Sequence, residues 1–404
     1  MNSTPLEDQV HDALHRRVDP LEHSSLTVTD VRRRARRIQR RRTIAAGAAV
    51  AAALAVAVPV GLAMNGPAQR TELPPVTQPP QVTGPVRIDP RSASIGEPPA
   101  VTLVDTSGPS LTTGGETVGI PTAYEQITPY RDGWIATVKD EGVTTVQVLD
   151  SDFGVEDNVP DTSALTVADD GSRVAYAYYD GIRWIIVDND PTGERAEETT
   201  PLPDGPLAAT VRTVGFLPDG ELVAAQVDPV DGGEDTFVVT AQGVTEPIPG
   251  FTQAVSASPA TGMVAGLVNV TGVESCSAVV DGRARTGAEV WGTCDQQLGP
   301  FSPDGQHLVG LADVPDGPSP TLTVLDATTG DPAIDFEVTP ARDRVVGIAQ
   351  VVWEDDETLL ATYTDGNQQY VVRLRLDGTV ERVAGPVTND DFSESLRLTP
   401  SRVG

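Results

Sequence analysis

Few residues of this chain have the type and spacing that chemistry needs. His307 is the only histidine after His23, and one imidazole cannot complete the multi-histidine sites of catalytic zinc or copper. A Ser-His-Asp triad in the C-terminal part would have to use it; placed just after Gly305, it reads instead as a partly exposed histidine opening a strand. The two cysteines, Cys276 and Cys294, flank a turn at 281–287. Residues 276–280 and 288–293 then form one hairpin with the sulfurs nearly opposite. A disulfide is the expected state on an oxidising side of a membrane, ahead of a metal or reactive-thiol role. Asp188-Asn189-Asp190-Pro191-Thr192-Gly193 matches the opening of a calcium loop, but position twelve is Thr199, with Glu197 and Glu198 nearby. An ordinary turn is the reading adopted, and no cofactor or metal is expected. Asn269-Val270-Thr271 matches a glycosylation sequon and is read as chance. Carboxylates are abundant, at 58 against 28 basic residues, so paired-carboxylate hydrolysis stays open, although no pair is singled out. No catalytic residue is assigned.

The elements that must carry these residues repeat. Six turns rich in Asp and Gly fall at 130–133, 168–171, 217–220, 258–262, 302–305 and 354–357. A second turn follows each, at 150–154, 188–193, 240–243, 281–287, 326–330 and 376–378. Glycine supplies the positive φ of such turns and Asp bonds its own backbone. Between first and second turn lies a pair of strands: 134–139 with 143–149, 173–178 with 182–187, 221–227 with 236–240, 263–270 with 276–280, 307–314 with 321–325, and 359–363 with 369–375. Asp180-Gly181 and Asp365-Gly366 read as two-residue hairpin loops. Gly133, Gly171, Gly220, Gly262 and Gly305 are 38, 49, 42 and 43 residues apart, the spacing of four-stranded blades.

The fold class expected is therefore all-β, a β-propeller over residues 100–404. Residues 393–398 look like a first strand without its blade, while 100–105 and 117–121 offer strands at the other end. Sharing one composite blade would give seven blades, with six as the alternative, and would remove exposed sheet edges. Trp134, Tyr176, Tyr178, Trp184, Trp291 and Tyr370 fall within strands and are expected to pack between blades. Tyr179 and Trp353 sit nearer loops and are the surface candidates.

Phe301-Ser302-Pro303-Asp304-Gly305 and its relatives resemble the WD40-like and TolB-like propeller repeats of bacteria. The Gly-His and Trp-Asp signature of true WD40 repeats is missing, as is the Ser-x-Asp-x-Gly-x-Thr-Trp box of sialidase-type propellers. The resemblance implies the fold and leaves the activity open.

Residues 43–64 carry no charge, and as a helix of roughly 33 Å they would cross the hydrocarbon core. Arg32, Arg33, Arg34, Arg36, Arg37, Arg40, Arg41 and Arg42 precede them, so the positive-inside rule puts residues 1–42 in the cytoplasm and the propeller outside. A cleaved or twin-arginine export signal is the lesser reading, since 42 residues is long for an n-region. Leu6, Val10 and Leu14 give the tail a narrow apolar stripe, suited to the inner leaflet or to a docking partner. Residues 65–99 contain nine prolines and read as an extended extracytoplasmic linker, about 3.1 Å per residue where polyproline-like.

This layout resembles single-pass actinobacterial membrane proteins, some of them anti-sigma factors. Their zinc-binding form needs cysteines in the tail, and this tail has His11, His15 and His23 alone. The first 42 residues hold ten arginines and six acidic residues, so 18 basic and 52 acidic residues follow them, a net charge of −34. Nucleic acid and anionic lipid are poor partners for such a surface. The expected function is a membrane-tethered, non-enzymatic binding module for a protein, peptide or cell-wall ligand. The alternatives are an exported hydrolase using Asp or Glu at the channel mouth, and a sensor signalling through the tail.

Overall fold

A computed structural model describes residues 84–399, apart from 141, 169–170, 193–196, 204–208, 229–232, 272–273, 313, 315–316, 342–343 and 389–394. The basic tail, the uncharged segment 43–64 and the linker up to residue 83 lie outside the described residues. Among those described, no helix is long and apolar enough to cross a membrane.

Seven sheets succeed one another along the chain. Blade 2 comprises Gln126–Tyr130, Gly133–Asp140, Val143–Leu149 and Val155–Val159, and blade 3 Thr166–Val167, Val174–Tyr179, Trp184–Asn189 and Glu198–Pro201. Blade 4 is Thr210–Phe216, Leu222–Val227, Glu234–Val239 and Thr245–Pro247. Blade 5 is Gln253–Ala257, Met263–Thr271, Glu274–Asp281 and Glu289–Thr293. Blade 6 is Gln296–Phe301, His307–Ala312, Thr321–Asp326 and Pro332–Val338, and blade 7 is Val346–Trp353, Thr358–Asp365, Gln368–Arg375 and Val380–Thr388. Blade 1 is composite. Its innermost strand is the C-terminal Leu396–Thr399, paired antiparallel with Thr102–Asp105, which continues into Ser110–Thr113 and Glu116–Gly119. Seven blades rather than six is thus the outcome, and the closing blade is shared between the chain's two ends.

Apolar residues collect between blades. Among the described residues seven buried clusters occur, one at each interface. Tyr130, Ile135 and Val146 of blade 2 meet Val174 and Tyr176 of blade 3. Further round, Val309, Leu322 and Phe336 of blade 6 meet Ile348, Trp353 and Leu359 of blade 7. At the closing interface Val352, Leu360 and Val371 of blade 7 meet Val101, Leu103, Leu396 and Leu398 of blade 1. Alternation along each strand therefore buries both faces of a blade, one against each neighbour.

Side chains also tie each innermost strand to the next. Gln126 spans blades 2 and 3: its Oε1 accepts the Leu165 N–H at 2.8 Å and its Nε2 donates to the Leu165 carbonyl at 3.2 Å. Gln350 does the same from blade 7 to Leu398 of blade 1, at 2.9 and 2.6 Å. Blades 4 and 5 use two residues for this task, Glu234 accepting the Ala254 N–H at 2.7 Å and Arg212 donating to the Ala254 carbonyl. Thr166 to Thr213, Ser256 to the Gly299 carbonyl, Trp353 Nε1 to the Pro300 carbonyl and the Ile127 N–H to Thr399 complete the circuit.

The turns explain much of the acidity. In ten of them an aspartate accepts the N–H two residues on, as Asp326 does from Thr328 at 2.9 Å and Asp377 from Thr379 at 2.8 Å. Ser302, fully buried, donates to Asp304 at 2.6 Å and accepts the His307 N–H at 2.9 Å, so the Ser-Pro-Asp-Gly turn is a hydrogen-bonded unit. Gly305 has φ +71°, and a Cβ there would lie 2.6 Å from Ser258 Oγ of the preceding blade. The five free outer edges each expose a carboxylate: Glu116, Glu156, Glu198, Glu246 and Glu289. Charge at an edge discourages pairing with another chain.

Three details differ from expectation. The loop at Asp180 has four residues, since Tyr179 pairs with Trp184 and the Asp180 carboxylate accepts the N–H of both Ile182 and Arg183. The loop at Asp365 is Gly366-Asn367, because Asp365 is still paired with Gln368. Residues 84–99, assigned above to the linker, are strapped to the propeller. Val86–Ile88 adds a parallel strand to the outer edge of blade 6, and Ser94–Ile95 does so on blade 7.

Two outcomes follow. Gln350→Ala leaves the Leu398 N–H and carbonyl without this partner and should cost about 1–3 kcal/mol; an unchanged urea midpoint would contradict the role given to it. Hydrogen bonds hold the Asp326 and Asp377 carboxyls below the ordinary carboxylate range. Their contribution is complete above that range and lost as pH falls through the lower folded values, so melting temperature should drop in acid, below about pH 4. Melting that is flat from pH 7 to pH 3 would refute this.

Candidate binding site

Five of the innermost strands are interrupted or short where they face the middle of the ring. Bulges occur between Thr213 and Gly215 in blade 4, Ala254 and Ser256 in blade 5, Leu298 and Phe301 in blade 6, and Ile348 and Val351 in blade 7; in blade 3 the strand is two residues long. A bulge sets a residue out of the ladder and re-aims its neighbours. Ser256 and Gln350, both at bulges, are two of the residues that reach the next blade. Gly215 is a close approach: a Cβ on it would lie 2.9 Å from the Ala257 nitrogen.

The innermost strands of blades 2 to 6 line a cavity of about 200 Å³. Its walls are Leu165, Val167, Val214, Phe216, Val255, Pro259 and Phe301, with Gln126, Thr166 and Ser256 as the polar side chains. All three of those spend hydrogen bonds on a neighbouring blade, as described above. Val255, at 37% exposure, is the most open aliphatic of the lining. No carboxylate, histidine or cysteine lines the cavity. Such a site offers shape and apolar surface to a projecting side chain, with the Thr166 and Ser256 hydroxyls and the Gln126 amide as its polar groups.

Residues flagged for chemistry lie elsewhere. His307 stands at the start of the second strand of blade 6, cross-strand from Asp326, with its ring 6.2 Å from that of Trp353. Its buried Nδ1 makes no hydrogen bond, so no carboxylate orients the ring through that nitrogen as a triad requires. Asp188 is engaged by Arg173, which pairs with it and also donates to the Gly220 carbonyl at 2.7 Å while lying over the Phe216 ring. Asp190 accepts the N–H and hydroxyl of Thr192. The loop's Gly193 lies outside the described residues. Burial raises the Tyr176 hydroxyl above its ordinary value and pushes that of Tyr363 up to about 12, so neither supplies a phenolate near neutrality.

Trp353 is a correction. Expected at the surface, it is 7% exposed, with its indole N–H bonded to the Pro300 carbonyl at 3.0 Å; proximity to a turn did not reveal that the turn abuts the preceding blade. Tyr179 is half-buried against Trp184, with ring centres 5.8 Å apart. Cys276 and Cys294 are joined, extending the ladder of Ser277 with Thr293. Inter-blade residues such as Gln126 and Gln350 escaped the sequence reading. A lone amide in an otherwise apolar strand was the available signal.

No protein-family model matches the chain, and no curated protein matches it in sequence. Among solved structures it is similar to TolB from Acinetobacter baumannii, at 13% identity over 63% of this chain and 62% of that one, with a TM-score of 0.38. It is also similar to the β-propeller domain of the Trilobed protease from Pyrococcus furiosus, at 10% identity over 65% and 84%, TM-score 0.44. A third is Pyrococcus horikoshii acylaminoacyl peptidase, at 13% identity over 64% and 46%, TM-score 0.42. The chain thus spans less than two thirds of TolB and under half of the peptidase.

Reducing the disulfide should lower stability by about 3 kcal/mol in the chain-entropy model for a loop of this size. Comparison of melting with and without reductant tests it, and identical curves for thiol-titrated samples would refute it.

Proposed function

We propose that this chain is a membrane-tethered, extracytoplasmic propeller acting as a non-enzymatic binding module, with its N-terminus in the cytoplasm. The apolar cavity in the ring, whose polar side chains are all committed to neighbouring blades, is what favours binding over hydrolysis. Carboxylates converging there would have favoured the hydrolase; the cavity lining has none. Support for the outer location comes from the arginine run before residues 43–64 and from a disulfide that persists in oxidising surroundings. The acidic surface favours a protein, peptide or wall component carrying positive charge.

Location is tested with the full chain carrying a C-terminal tag. Trypsin added to intact cells should remove the tag from a carbonate-resistant membrane fraction, and a tag cut only after lysis would overturn the placement. For binding, a photocrosslinking amino acid at Val255 should capture an envelope component in intact cells. The same group at Val118, on the outer edge of blade 1, should not. Val255→Asp in the full chain should weaken retention of the captured component on the immobilised protein at least tenfold with little change in melting. Turnover of ester or peptide substrates by the purified chain would replace the binding reading with the enzymatic one.

A further inference from the structure

The interface between blades 7 and 1 differs from the other six. Elsewhere the chain passes from one blade directly into the next. Here the three outer strands of blade 1 reach blade 7 only by pairing with Leu396–Thr399 and through residues 86–100, which lie along blades 6 and 7 before entering blade 1.

Those residues are fastened at successive points. Val86–Ile88 pairs with Phe336–Val338. Arg91 then bonds Asp365 at 2.6 Å, a carboxylate 6% exposed that Arg344 also engages. Ser94 and Ile95 pair with Glu381 and Arg382, and the Gly96 N–H donates to the Arg382 carbonyl at 2.9 Å. Last comes Arg373, whose side chain is 5% exposed. Its guanidinium donates to both oxygens of Glu354 at 2.5 and 2.8 Å, to the carbonyls of Glu97 and Pro98 at 3.2 Å each, and to Glu381 at 3.4 Å. Five donors meet five acceptors, the full capacity of an arginine. Glu354 in turn accepts the Ala100 N–H at 2.7 Å. Val101, the next residue, is already part of the cluster that seals blades 7 and 1.

We infer that residues 86–100 are a releasable clasp that couples the N-terminal chain to ring closure: displacing them opens the propeller between blades 7 and 1. The clasp is held by short parallel pairings, by ion pairs and by Ile88, whose buried side chain packs into the cluster between blades 6 and 7, with no covalent lock. A charged hollow of about 650 Å³, bounded by Glu97, Pro98 and Ala100 of the clasp and by Glu354, Arg373 and Glu381, gives solvent a route to its central contacts. Detachment also bares the outer edges of blades 6 and 7, which are the two edges that the clasp now covers. Blades 2 to 5 carry no part of it.

Hydrogen exchange on the full chain tests the coupling. Arg373→Met should accelerate exchange at least tenfold in 86–105 and in 396–399, leaving the innermost strands of blades 3 to 5 at their original rates. Where that variant fails to fold, Arg91→Ala removes only the half-exposed ion pair and should give the same pattern at several-fold amplitude. An apolar dye such as anilinonaphthalene sulfonate should fluoresce more with either variant as the cluster at the interface is exposed. Acceleration spread over all blades would overturn the inference, as would loosening of 86–100 with 396–399 unchanged.

Discussion

Ring closure is the constraint on which everything else in this protein rests. A blade is a single layer, and both of its faces are apolar. Neither can be buried within the blade, so each blade needs two neighbours, and burial is worth about 25 cal/mol per Å² of apolar surface only where the neighbour is present. Seven inter-blade clusters with no central core mean that opening one interface exposes two faces at once. The chain's ends must therefore meet, and they do so twice: Leu396–Thr399 pairs inside blade 1, and residues 86–100 run outside blades 7 and 6.

Closure also governs where polar side chains stand. Innermost strands converge toward the axis and cannot pair with each other along their length, so backbone groups near the axis need other partners. Gln126 and Gln350 each supply a donor and an acceptor to one residue of the adjoining strand, which makes an amide side chain equivalent to one rung of a ladder. Arg212 with Glu234 does the same for Ala254 using charge, and Arg373 with Glu354 holds the backbone of residues 97–100 in a similar way. Buried pairs of that kind owe their fit to the acceptors around them, and removing one partner leaves the other charge uncompensated. The bonds that Gln126, Thr166 and Ser256 make from the cavity wall follow from the same demand. Side chains that might have served a substrate are already holding the ring.

Much of this was legible in the sequence. Asp-Gly turns at near-constant spacing set out the six continuous blades, and an orphan strand at each end pointed to the composite one. The cysteine pair was legible because a hairpin turn lay between the two. Less visible were contacts whose partners lie far away along the chain. Trp353 looked like a surface residue because its turn is polar, yet that turn lies against Pro300, 53 residues earlier. Prolines at 85, 90, 98 and 99 gave 84–99 the composition of a linker. The short segments Val86–Ile88 and Ser94–Ile95 pair there by offering backbone, which composition does not record.

Acidity is the feature most easily misread. A net charge of −30 invites a cationic ligand or calcium as its cause, but ten aspartates are engaged with their own turn backbone, and five glutamates stand on the outer edges of blades. Two edges, those of blades 6 and 7, are protected differently, by strands of the same chain. The fold thus treats charge and coverage as alternative answers to the same hazard of exposed hydrogen-bonding edges. Coverage has the further effect of joining the N-terminal chain to the one interface where a blade is assembled from two separate stretches of the chain.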